Sequence, residues 1–396
     1  MKTSPLLPML CGGTKGGKRE GRSRGISDDG CFSPSASPGT KTIIIYYFMS
    51  RTLKRLFVNG FPGYYGGAGT ELHHQIIVWR QMGMEVHLIP TGDGFGQETM
   101  LLEMAARGVT VHAPGDWSAL EAEDVIISFC NGEFLENLPE IRKRTKRTVF
   151  VNCMTWLFQK ERQRMAEGQI ALFLYQNEEV RQKNMPVLKS LNDDPAIRFM
   201  TFKPYFHNES FPFIYERADE FFGCGRISRQ DADKFARNTL RIYEYFVAPV
   251  FKRALFLGFG QRSRQKIGKP YSWIRTAANQ KEVSQQEFYR HCKIVLQPTD
   301  TTENWPRVGF EAMASGSVLI VDNRGGWRQM VEHGKTGWLC DHERDFIFYA
   351  SKMAYEPRLR EDMAEAARER CLNLGGLAAS MESWEEVFET MANLPE

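Results

Sequence analysis

From residue 53 onward, apolar and polar positions alternate between two periods. Leu56–Asn59 is a short apolar run, followed by the glycine-rich turn GFPGYYGGAG at 60–69. In the next segment, 70–83, Leu72, Ile76, Val78 and Trp79 recur at near-helical spacing and Gly83 ends the run. That pattern predicts a helix. EVHLIP at 85–90 predicts the next strand. Strand, glycine turn, helix, strand is a βαβ unit opening a parallel sheet.

The alternation continues, with a helix predicted over 101–108 and a strand over 109–113. DVIISFC at 124–130 is apolar throughout, as expected of a strand covered on both faces. A basic helix is predicted over 136–147. Strands follow at 148–153, 170–176 and 197–202, and the first array closes near 207–212. A second array begins with FFGCGRIS at 221–228, ALFLGFG at 254–260 and KIVLQPT at 293–299. A helix over 308–316 and a strand over 317–323 come next, then helices over 343–355 and 359–372. The last segment is amphipathic, with Trp384, Val387, Phe388 and Met391 on one side. The expected fold class is α/β, with two Rossmann-like doubly wound domains facing across a cleft. The expected boundaries are 49–212, 213–372, and a helix over 373–396 crossing back to the first domain.

Residues 1–48 carry no such pattern. They are rich in Gly, Ser, Lys and Arg, and are expected to be a disordered extension or translated upstream sequence outside the native fold. A chain of 396 residues is long enough for two cores. Its net charge of +3 is too small to argue for nucleic acid, and no apolar run approaches membrane-spanning length. The eight cysteines (Cys11, Cys31, Cys130, Cys153, Cys224, Cys292, Cys340 and Cys371) fall in no metal-ligand spacing and read as reduced thiols of a cytoplasmic protein.

Three segments carry candidate chemistry. The turn at 60–69 precedes a helix, and glycines there let backbone N–H groups approach a phosphate. A tight turn without a ligand explains the same residues equally well. In FFGCGRISRQDADKF, Arg226 leaves a strand end and Lys234 follows eight residues later. Such a pair can neutralise a leaving diphosphate, although a solvated basic loop is the blander reading. The segment TTENWPRVGFEAMASGSVLIVDNRGGWRQMVEHGKTGWL at 301–339 places Glu303 before a helix and Glu311 inside it. A carboxylate at the Glu311 position can take two hydroxyl hydrogen bonds from a ribose. Gly325 and Gly326 form a further turn beside the same edge.

This last segment resembles the donor-binding signature of family 4 retaining glycosyltransferases (glycosyl transferases group 1), EGFGLVxLEAMAxGxPVVAxxxGGxxEIVxxGxxGxL. GGAGTELHHQIIVWRQMGMEVHLI resembles the family's opening glycine loop and first helix. GRISRQDADK resembles its diphosphate segment. The resemblance implies a GT-B fold and transfer of a sugar from a nucleoside-diphosphate sugar to a hydroxyl acceptor, whether glycan, lipid-linked sugar or other, without a metal or cofactor. It implies donor contacts at Gly66, Gly67, Arg226, Lys234, Asn304, Glu311, Gly325 and Gly326, with Glu303 beside the transferred sugar as the catalytic candidate. The sequence departs from the family at Asn304, Trp305 and Pro306, which stand where the pattern has Gly-Phe-Gly. Pro306 lacks the N–H of a backbone contact often made to the donor. A sugar-nucleotide epimerase or a catalytically silent sugar-nucleotide or glycan-binding protein are the rival readings.

Lesser features read as structure. His73 and His74 are expected to pack or face solvent. The basic run at 142–147 is expected to be a solvated helix face, with contact to the inner face of an anionic membrane as the alternative. Trp117, Trp156, Trp273 and Trp327 are expected in core or interface, with sugar stacking as the alternative.

Overall fold

A computed structural model of the chain describes residues 53–63, 67–92 and 98–395. The expectations for residues 1–48 and for Gly66 lie outside them. The first array contains strands β1 (Arg55–Gly60), β2 (Glu85–Pro90), β3 (Thr110–Val111), β4 (Val125–Phe129), β5 (Thr148–Asn152), β6 (Leu172–Tyr175) and β7 (Arg198–Thr201). Its helices are α1 (Gly67–Gln81), α2 (Glu98–Ala106), α3 (Gly132–Ile141), α4 (Gln159–Ala166) and α5 (Glu178–Lys189). The second array contains β8 (Phe222–Ile227), β9 (Lys252–Leu257), β10 (Ile274–Ala277), β11 (Ile294–Gln297), β12 (Val318–Asp322) and β13 (Gly337–Cys340). Its helices are α6 (Thr239–Tyr245), α7 (Gln261–Ile267), α8 (Gln285–His291), α9 (Arg307–Ser315), α10 (Gly326–Met330), α11 (Glu343–Tyr355) and α12 (Pro357–Gly375), and α13 (Leu377–Ala392) ends the chain.

Both sheets are parallel throughout. The first has the order β3-β2-β1-β4-β5-β6-β7 and the second β10-β9-β8-β11-β12-β13. Strand alternation divides each core between two faces. Leu56 and Val58 pack on one face of the first sheet, and Phe57 packs on the other. Phe256 and Leu257 divide the second sheet in the same way. This is why the strands read as continuous apolar runs. Strand order reverses between β1 and β4 and between β8 and β11, and ligands of such sheets sit at the carboxyl ends beside that reversal.

The final helix leaves the second array. After Gly375 and Gly376, α13 places Trp384, Val387, Phe388 and Met391 in the core of the first sheet, against Leu72, Ile76 and Trp79 of α1. Trp79 and Trp384 meet edge to face with centroids 4.9 Å apart. Truncating an indole buried to this degree typically costs about 3–5 kcal/mol.

One expected element is corrected. The basic helix predicted over 136–147 is instead α3, which starts at Gly132 and ends at Ile141. Asn131 caps its first turn by accepting from the Glu133 and Phe134 amides. Beyond Ile141 the Thr145 hydroxyl donates to the Asp124 carbonyl at 2.7 Å, which pulls the chain toward the start of β5. The run 142–147 is therefore a turn. Among the described residues, no helix is long and apolar enough to cross a membrane.

Candidate functional site

The second sheet's reversal point is built around Arg226, near the end of β8. Its side chain is fully buried, with the guanidinium stacked on the Phe235 ring at 3.6 Å from the centroid. Nη1 donates to the Pro298 carbonyl at 3.2 Å and Nη2 donates to the Lys234 carbonyl. Burial pulls its pKa down to about 10, still far above neutrality. Arg226 thus holds backbone on both sides of the reversal point and exposes no surface to the cleft.

What it holds is the turn carrying Lys234, which ends a short 3-10 segment, Ala232–Lys234. The Lys234 ammonium donates to both carboxylate oxygens of Glu303 at 2.7 Å. The two side chains are about one-fifth and one-seventh exposed, so this charge pair borders the crevice without being sealed off. Beside it, Lys266 pairs with Asp300 at 2.7 Å and donates to the Ala232 carbonyl. The sequence reading did not single out Lys266, which lies on a helix too short and polar to announce itself.

Gly325 and Gly326 serve the Glu303 loop. The Gly326 amide donates to the Glu303 carbonyl at 2.8 Å. A Cβ on Gly325 would run into that carbonyl, and one on Gly326 into the Asn304 carbonyl. Gly325 also has φ of 56° with ψ of −142°, a conformation nearly closed to other residues. The pair therefore fixes the backbone under Glu303. Gly67, at the first turn of α1, has open space where a Cβ would stand.

Glu311 lies in the second turn of α9, after Pro306 in the capping position. Tyr289 and Gln285 of α8 both donate to its Oε2, at 2.9 and 3.0 Å. Among the described residues no donor reaches Oε1. Burial raises its pKa, and the Tyr289 hydrogen bond opposes that shift. Tyr289 and Gln285 were not anticipated, since their spacing to Glu311 exists only in three dimensions.

The loops after β6 reach this region from the first domain. Asn304 is nearly buried. Its Nδ2 donates to Gln176 Oε1 at 3.2 Å, and its carbonyl accepts from Asn177 Nδ2 at 2.9 Å. Gln329 of α10 donates to Asn177 Oδ1 at 2.8 Å. Asn304 Oδ1 is buried without a protein partner. Residues 303–304 are thus gripped from both domains.

On the first sheet, the loop after β5 carries Trp156, 53% exposed at the carboxyl edge, whereas Trp327 is buried. The loop is pinned from below. Buried Asn152 donates to the Trp156 carbonyl at 3.0 Å and to both oxygens of buried Glu161. Burial pushes the Glu161 pKa up to about 7. His73 and His74 are packed and neutral. Burial brings them to about 4 and about 3, with nearby arginines adding to the fall. Among the described residues, no three His, Cys, Asp or Glu side chains converge as a metal site.

Comparison with known proteins bears on this arrangement. Residues 277–370 match the family described as glycosyl transferases group 1. A D-inositol 3-phosphate glycosyltransferase of Pseudarthrobacter chlorophenolicus is 31% identical over 90 residues. That match spans 22% of this chain and only 21% of the relative's length. Among solved structures, HepE of Anabaena, determined with UDP and glucose, superposes with a TM-score of 0.63 at 14% identity, covering 85% of this chain and all of that one. A glycosyltransferase of Rickettsia africae gives 0.67 at 12% identity, covering 86% of this chain and all of that one. At such identities the likeness establishes the fold, which is that of GT-B glycosyltransferases.

Proposed function

We propose that this chain, a GT-B protein whose residues 277–370 belong to the glycosyl transferases group 1 family, is a retaining glycosyltransferase using a nucleoside-diphosphate sugar. The observation that carries the reading is the Lys234–Glu303 pair, poised at the reversal point of the second sheet with Glu311 one helix turn into α9. Glu311 Oε1 takes the ribose hydroxyls, while Tyr289 and Gln285 hold the other oxygen. Lys234 exchanges part of its pairing with Glu303 for the diphosphate as the glycosyl bond breaks, and its charge is worth most in a site that excludes water. Glu303 is then released toward the hydroxyls of the transferred sugar. Neutralisation by Lys234 takes the place that a metal ion holds in other glycosyl transfers.

The acceptor lies against the carboxyl edge of the first sheet. The exposed indole of Trp156, on a loop anchored by buried polar groups, favours a sugar ring in the acceptor, because rings stack on indole faces. Gln176 and Asn177 hold Asn304 by side-chain contacts, beside Pro306, which has no N–H to offer the donor.

The test is proton NMR of the reaction with UDP-, GDP- and ADP-glucose and a panel of oligosaccharide acceptors. Transfer with the donor's anomeric configuration kept is the expected result. Inverted product would contradict the retaining step, and donor isomerised without acceptor would point to an epimerase. Donor binding without any turnover would point to a silent sugar-nucleotide-binding protein.

A further inference from the structure

The helix that presents Gly67 at its first turn continues into a buried polar chain. Glu71 of α1 is fully buried. Its Oε1 accepts from Gln75 Nε2 at 2.6 Å, and Gln75 Oε1 accepts from the Trp384 indole N–H at 2.5 Å. Its Oε2 accepts from Arg307 Nη1 at 2.8 Å, a contact between the first domain and the first residue of α9. Arg307 Nη1 also reaches the Tyr205 carbonyl at 3.3 Å, and its Nη2 lies 2.6 Å from His74 Nδ1. Only a neutral imidazole can accept there, which agrees with the low pKa that burial gives His74.

Arg307 stands four residues after Glu303 and four before Glu311. Its guanidinium is therefore a second point, beside Gln176 and Asn177 at Asn304, at which the first domain grips the donor segment. Two charges withdrawn from water in this way gain little net stability, since a well-packed apolar pair often does as well. What a planar, multiply bonded guanidinium supplies is fixed geometry. Here it fixes α9 relative to α1.

We propose that Glu71 is a positioning residue for glycosyl transfer: through Arg307 it sets segment 303–311 against the acceptor-side helix, so that Glu303 and Glu311 meet the donor in register. This rests on the glycosyl-transfer reading above. The chain Trp384–Gln75–Glu71–Arg307 also ties the crossing helix α13 to the same register, which gives α13 a role beyond covering the first core.

The experiment compares the full chain with Glu71→Gln, Arg307→Gln and the double variant. Hydrogen exchange is followed in peptides covering 303–311, and turnover in UDP-, GDP- and ADP-glucose. Glu71→Gln is expected to lower kcat by about tenfold or more while donor KM moves less than about threefold, because a misplaced segment still binds but no longer aligns. Exchange in 303–311 rises while that of β5 stays unchanged. The double variant loses no more kcat than the worse single variant, since both substitutions remove the same contact. Where Glu71→Gln does not fold, Arg307→Lys gives the same reading, because an ammonium cannot bridge Glu71 and His74 in one plane. Unchanged exchange in 303–311, or additive losses in the double variant, overturns the proposal. If the wild type turns over none of the three donors, the donor reading falls and the exchange result alone decides the role of Glu71.

Discussion

The ammonium of Lys234 sits 2.7 Å from both oxygens of Glu303, although the two positions are 69 apart in the chain. The pair forms because Arg226 holds the Lys234 backbone and Gly325–Gly326 holds the Glu303 backbone, so each charge is placed by its own scaffold. Lys234→Met is expected to lower kcat by about a hundredfold or more, the usual cost of removing a group that meets developing charge. Glu303→Gln frees the ammonium for the diphosphate, so donor affinity holds or rises while kcat falls. Steady-state kinetics beside calorimetric donor binding separates the two effects.

Arg226 acts through Lys234. Arg226→Met keeps an apolar body against Phe235 but leaves the Lys234 carbonyl without its donor, while the Pro298 carbonyl keeps the Ala236 amide. A buried acceptor stranded in this way costs about 1–3 kcal/mol. Urea unfolding should therefore show a loss of about that size, and donor binding should weaken in the variant even where it is fully folded.

Much of this architecture is legible along the chain, and the exceptions have physical reasons. Strands such as β4 and β12 are covered on both faces and read as unbroken apolar runs, so they stand out. β10 exposes Arg275 and is four residues long, and α4 is polar at six of its eight positions, so neither carries a period that identifies it. Glu303 and Glu311 are legible because strand, turn and helix are contiguous there. Arg226 is legible as a cation near a strand end, but its burial beneath the Lys234 turn depends on Phe235 and Pro298 closing over it. Tyr289, Gln285 and Arg307 meet their partners only through tertiary folding. The Glu71–Arg307 contact joins positions 236 apart, and no local spacing encodes it.

Glu161 gives a pH signature. Its folded-state pKa is raised to about 7 from an ordinary 4.5, so the folded state binds the proton more tightly than the unfolded chain. Its contribution is most favourable below pH 4.5 and is lost as pH rises to about 7. By linkage the loss totals about 3 kcal/mol. His73 and His74, lowered by burial, act in the opposite sense and lose stability as pH falls below 6.5. The difference between wild type and Glu161→Gln isolates the carboxyl. Relative to the variant, wild type should lose stability between pH 4.5 and 7 and change little above that, as read by urea unfolding at stepped pH.

The central claim is that the second sheet's reversal point binds a nucleoside-diphosphate sugar with Glu311 on the ribose. The most direct measurement is thermal unfolding of wild type and Glu311→Ala against UDP-, GDP- and ADP-sugars, with NAD as control. A ligand at a hundred times its Kd adds about 2.7 kcal/mol to the folded state, a shift of several degrees for a protein of this size. The account predicts such a shift for wild type with one nucleotide series and its loss in Glu311→Ala at the same concentration. An equal shift in both proteins, or a response to NAD alone, would contradict it.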